Sequence, residues 1–209
     1  AITIERRMEL LASPRGSQGM FPELVFFDCH ACHEPMSELD WTLRPGTGLG
    51  PGYPKFNDAN ILMLQTALET TDPDLAETLA QNLRAVHAAV TTDASALREA
   101  ARATADTARQ AVSRLQQREL TDAEMEQMLL TVARRGAEGV YADYESAEQA
   151  TMAMGAVIES KRMFGETDEE AYARLTAELE KAYAAIKNDE QYTRADFRQA
   201  AEAMAGAAN

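Results

Sequence analysis

The chain has 209 residues, 45% of them hydrophobic but only 6% aromatic, with alanine prominent among the apolar ones. That mixture suits helices packed through small residues better than a sheet-rich core, and the length fits one domain or one domain with a small extension. A formal net charge of −14 argues against nucleic acid and anionic membrane surfaces as partners, and favours proteins with basic docking surfaces. No run approaches the roughly eighteen apolar residues of a membrane span, and Ala1 to Arg7 lacks the apolar core of a signal peptide.

In chain order, Ile4, Met8 and Leu11 recur at helical spacing and predict a short amphipathic helix over 4–11. Ser13-Pro14-Arg15-Gly16-Ser17-Gln18-Gly19 ends it with turn chemistry. Met20 to Phe27 is an apolar approach broken by Pro22 and Glu23. Its Leu24, Val25, Phe26 and Phe27 could form a short strand, but a turn of helix offering aromatic walls to a bound ring is the stronger expectation.

The only two cysteines follow at once, in Asp28-Cys29-His30-Ala31-Cys32-His33. This is C-x-x-C-H, the attachment pattern of a c-type haem. Thiols three positions apart reach the two vinyl groups on one edge of the macrocycle, and the adjacent imidazole of His33 is held under the iron as its proximal ligand. Rival readings fare worse. A structural zinc site wants four ligands, and no second cysteine pair completes one. A thioredoxin-like pair belongs near a βαβ pattern, which is not seen here. A disulfide across two intervening residues closes a loop too small to stabilise much.

Trp41, the only tryptophan, reads as core or haem-edge packing with its N–H bonded to a propionate or carbonyl. The run Pro45-Gly46-Thr47-Gly48-Leu49-Gly50-Pro51-Gly52-Tyr53-Pro54 lacks the Gly-Lys-Ser/Thr of a phosphate-binding loop and no strand clearly precedes it. A loop wrapping the haem and turning the chain back is the better account.

From Asn57 onward the pattern is helical. Asn57 or Asp58 caps a helix carrying Ile61, Leu62, Leu64 and Leu68. Asp72-Pro73 starts the next, with Leu75, Leu79, Leu83, Val86 and Val90. Thr92 or Asp93 opens a longer one whose narrow stripe is Leu97, Ala101, Ala105, Ala108, Val112 and Leu115. Thr121 to Glu124 is a capping box for a helix with Met125, Met128, Leu129 and Val132 inward. Gly136 and Gly139 separate it from one bearing Val140, Tyr144, Ala147, Thr151, Met154 and Ile158, which Gly165 ends. A second capping box, Thr167 to Glu170, leads a helix with Tyr172, Leu175, Leu179, Ala182 and Ile186 inward. A last helix begins near Thr193 and buries Phe197, Ala201 and Met204, with a tail expected to fray.

Two protein ligands on the iron suit electron transfer, whereas an open position permits peroxide chemistry. With His33 committed, the candidates for the distal side are His87, on a helix face with Leu83, Val86 and Val90, and Met63, beyond the Gly/Pro loop. Met20 is a weaker candidate, and Met36 lies too close to His33 to cross the ring. His30 cannot bend back to the same iron, but it could contact a propionate, solvent or a neighbouring haem.

The segments Gly19-Met20-Phe21-Pro22-Glu23, Phe27 to His33 and Asn57-Asp58-Ala59-Asn60 together resemble the last haem module and helical tail of bacterial multihaem c-type cytochromes. The likeness covers about residues 15–90. It implies periplasmic or extracellular electron transfer, with thioethers at Cys29 and Cys32 and ligation by His33. The family carries several such motifs and this chain has one. The chain is then a monohaem relative, or other haems lie on segments beyond it.

These readings combine into an all-α protein. A haem-attachment segment with a long Gly/Pro loop spans 1–56, and an antiparallel helical bundle spans 57–209, the two forming one continuous domain. The expected function is electron transfer by one covalent haem c within a larger periplasmic or extracellular redox assembly, whose other redox proteins or haem subunits are the partners. The cofactor residues are Cys29, Cys32, His33, His87, Met63, Trp41 and Phe27. The alternatives are a peroxidase-like haem enzyme with an open distal position, and a helical adaptor anchored by its haem. Covalent attachment implies export, whether a leader has been removed or these residues end a longer chain.

Overall fold

The computed structural model of the protein describes residues 1–17, 23–28, 55–90, 92–164 and 168–209. Eight α-helices dominate the described residues, with one two-stranded antiparallel pair. They divide into two compact units, Ala1–Glu119 and Leu120–Asn209. Phe56 belongs to the core of the first unit.

In the first unit, α1 (Ile2–Ala12) buries Ile4, Met8 and Leu11, as their spacing predicts. A single 3-10 turn, Leu24–Phe26, precedes β1 (Phe27–Asp28), so the expected helical turn and the strand both exist, in succession. β2 (Lys55–Phe56) pairs with β1, Phe27 facing Phe56 and Asp28 facing Lys55. Then come α2 (Ala59–Thr71), α3 (Pro73–Val90) and α4 (Ala94–Leu115).

The helix starts have physical causes visible in the sequence. Pro73 occupies the first position of α3, where its missing N–H costs nothing, and the carboxylate of Asp72 accepts from the Leu75 N–H at 3.3 Å. The Asp93 side chain accepts from the N–H groups of Ser95 and Ala96 to cap α4. Helix α3 packs against both α2 and α4, and α4 also packs against α1. The contact stripe of α4 is mostly alanine, with Ala101, Ala105, Ala108 and Ala111 buried. Short side chains there let two neighbours approach closely. Asn82 of α3 adds a polar tie, its Nδ2 donating to the Ala103 carbonyl and to Thr107 Oγ1 of α4.

The second unit holds α5 (Asp122–Ala137), α6 (Tyr144–Phe164), α7 (Glu169–Ala185) and α8 (Arg194–Ala207). Contacts run α5 to α6, α6 to α7, α7 to α8 and α8 back to α5, a closed cycle around a core that includes Leu129, Met154, Leu179 and Phe197. The capping box at Thr121 is present in both directions.

Gly139 ends the α5 segment with φ +81°. Its N–H donates to the Gly136 carbonyl and that of Val140 to the Arg135 carbonyl, the paired bonds of a Schellman motif. Gly136, expected as a second separator, lies inside α5. Tyr141, which the helical stripe omitted, is among the largest fully buried side chains, whereas Val140 is half-buried. Asp168 caps α7, and Thr193 caps α8. The tail after Met204 stays helical to Ala207, with Asn209 Nδ2 donating to the Ala205 carbonyl, which corrects the expectation of fraying.

Candidate functional site

Cys29, Cys32, His33, Trp41, His30, Met20 and Met36 lie outside the described residues, as do Gly165 and Thr167. What is described is the frame on either side of the motif. Asp28, the residue before Cys29 in sequence, faces Lys55, the residue after Pro54, across the strand pair. The Asn57 N–H donates to the Phe26 carbonyl at 2.9 Å, extending the clasp by one bond. Phe26 and Phe56 are fully buried, and Phe27 is half-buried.

Immediately after the clasp lies a buried charged cluster. Asp58 occupies the N-cap position of α2, but its side chain makes no capping bond. Its main-chain carbonyl starts the helix, accepting from Ile61 and Leu62 at 2.8 and 2.9 Å. The carboxylate is thereby free to turn inward. Oδ1 accepts from Lys55 Nζ at 2.5 Å, and Oδ2 lies 2.9 Å from His87 Nε2. All three side chains are less than one-tenth exposed.

A carboxylate out of water is costly unless charged and hydrogen-bonding partners surround it. Burial pushes the Asp58 carboxyl up, but the charge of Lys55 and the hydrogen bond and charge of His87 outweigh it and bring it down to about 2. Asp58 is therefore an anion that only accepts hydrogen bonds.

His87 sits on α3, which contacts β2. Its ring meets Phe56 edge-on, centroids 6.2 Å apart and planes at 77°. The Arg7 guanidinium of α1 lies over the Phe56 ring, 5.5 Å from its centroid, and it also donates to the Val25 carbonyl at 3.1 Å. His87 Nδ1 is buried and has no hydrogen-bond partner among the described residues.

Met63, the other distal candidate, is half-buried on α2. The structure thus joins His87 to Asp58, Lys55 and Phe56, three residues that sequence reasoning did not select. The signal was present in part. Lys55 and Asp58 are an oppositely charged pair three positions apart, flanking the buried Phe56, and a cap residue and a buried counter-ion look alike in sequence.

Among the described residues no group of three or more His, Cys, Asp or Glu side chains is arranged to hold a metal ion, and no helix is long and apolar enough to cross a membrane. No family model, curated protein or solved structure matches the chain.

Proposed function

We propose that the protein is an electron-transfer c-type cytochrome carrying one covalent haem. The observation that carries this reading is the isolated C-x-x-C-H of Cys29 to His33 in a chain with no other cysteine. Cys29 and Cys32 would hold the ring through thioethers, and His33 would ligate the iron from one side. When bound, the haem supplies a one-electron iron couple whose potential follows from axial ligands, burial and neighbouring hydrogen bonds.

Two observations on the described residues support this reading. The strand pair pins the chain on both sides of the motif segment, through Asp28 and Lys55. Buried against the same strand is an imidazole, His87, with an orphaned ring nitrogen. A histidine whose other nitrogen rests on a carboxylate is the arrangement that orients metal-ligating imidazoles. This favours His87 over Met63 as the second axial ligand, and two protein ligands favour electron transfer over peroxide chemistry. Phe27 and Trp41 would supply apolar wall. The acidic chain, at −14, would dock to redox partners with basic faces after export, as covalent haem attachment requires.

Visible and near-infrared spectra of the oxidised and reduced protein test this reading. The expected result is a c-type haem that survives acid extraction, low-spin, and converted to high-spin by His87→Ala. A sulfur-to-iron charge-transfer band that persists in His87→Ala would transfer the ligand role to Met63. A colourless protein from a host that attaches haem c would overturn the proposal.

A further inference from the structure

Resting on that reading, we infer that His87 presents Nδ1 as its iron-ligating nitrogen, with Asp58 and Lys55 as the positioning residues that fix it there. The inference follows from which ring nitrogen is occupied. Nε2 is 2.9 Å from Asp58 Oδ2, both side chains being 3 to 4% exposed. The other carboxylate oxygen already takes the Lys55 ammonium at 2.5 Å. An ionised carboxylate has no proton to donate, so the bond to His87 requires the hydrogen on Nε2. With Nε2 committed to the carboxylate, Nδ1 is the ring nitrogen left to meet the iron, and a ligating nitrogen turns its lone pair to the metal.

Nδ1 is buried without a hydrogen-bond partner among the described residues, and a buried unpaired polar atom is a cost that a ligand bond would relieve. Ligation through Nε2 would break the Asp58 bond and strip the carboxylate of one of its two partners. Ligation through Nδ1 keeps every bond in the cluster. The carboxylate then does for this imidazole what outer carboxylates do for metal-bound histidines, setting tautomer, ring orientation and basicity. Phe56, edge-on at 6.2 Å, limits rotation of the ring.

The test uses the full haem-loaded chain, labelled with nitrogen-15 at histidine and held in the reduced, diamagnetic state. Two-bond proton–nitrogen couplings should show His87 protonated at Nε2, with that proton exchanging slowly and Nδ1 shifted as an iron ligand. Asp58→Asn, checked for retained helicity by circular dichroism, should weaken the imidazole's hold so that added cyanide binds roughly tenfold or more tightly. A proton on Nδ1 with Nε2 on the iron would overturn the inference, as would iron bound to neither nitrogen, and both leave covalent haem attachment intact. An unchanged cyanide affinity in Asp58→Asn would remove the positioning role. A polypeptide with no haem after denaturation would overturn the haem reading itself, and this inference with it.

Discussion

His87 Nε2 and Asp58 Oδ2 lie 2.9 Å apart across 29 residues, joining the last turn of α3 to the residue directly ahead of α2. With Lys55 on the other carboxylate oxygen, this bond makes the strand pair, α2 and α3 one buried polar unit. The consequences concern the stability of the first unit and, on the proposed reading, the imidazole that would ligate the iron.

The acid limb of stability should carry the signature of Asp58. Its carboxyl is held at about 2 in the folded protein, against 3.8 ordinarily, burial raising it and Lys55 and His87 lowering it further. A depressed carboxyl stabilises the fold fully above its unfolded value. The contribution is then lost as pH falls from about 4 toward 2, and it amounts to about 2 kcal/mol. Chemical denaturation across this range should show a steeper loss in the wild type than in Asp58→Asn.

Removing one member of the cluster should cost more than the pair's net worth. Asp58→Ala leaves the Lys55 ammonium without this counter-ion and His87 Nε2 without this acceptor, both in a dry interior. Breaking a buried pair on one side costs about 3–5 kcal/mol. Urea unfolding should show that loss with an unchanged slope.

Two glycines should respond oppositely to alanine. A Cβ on Gly136 would stand 2.8 Å from the Cβ of Ala201 on α8, a contact no flexible side chain can relieve. Overpacking of this kind costs about 1–3 kcal/mol, more than the gain of about 1 kcal/mol from helix propensity. Gly206 has nothing within 4 Å of that position, so Gly206→Ala should stabilise α8 by up to about 1 kcal/mol. Thermal unfolding of the two variants, compared side by side, measures both.

The attachment of α1 to α4 should be sensitive to salt. Arg109 of α4 bonds Glu5 and Glu9 of α1, both at 2.9 Å, as well as Asp106 on its own helix. The side chain of Arg109 is half exposed, so this network weakens as added ions screen it. Arg109→Ala should loosen α1 at low ionic strength, and the difference from wild type should shrink near 1 M salt. Hydrogen exchange of the α1 amides reads this directly.

Helix ends and apolar stripes were largely legible because each rests on local chemistry. Asp93, Thr121 and Thr193 cap the helices that their positions announce, and Leu97, Leu129 and Phe197 point inward as their spacing requires. What escaped was decided by tertiary context. Asp58 occupies a cap position, but burial of Lys55 and His87 recruited its carboxylate elsewhere. Gly136 looked like a helix breaker, yet it serves the close approach of α5 and α8. The pair of β1 and β2 is two residues long, too short for an alternating pattern to reveal. The cysteines, His33 and Trp41 lie outside the described residues, so the central motif rests on its own spacing.

The central claim is that Cys29 and Cys32 carry a haem through thioethers, and intact-protein mass spectrometry under denaturing conditions tests it most directly. The protein should be produced in a host that attaches haem c and compared with a Cys29→Ser, Cys32→Ser variant. The account predicts a polypeptide heavier by one haem in the wild type and haem-free in the double variant. A wild-type mass equal to that of the bare chain would contradict it.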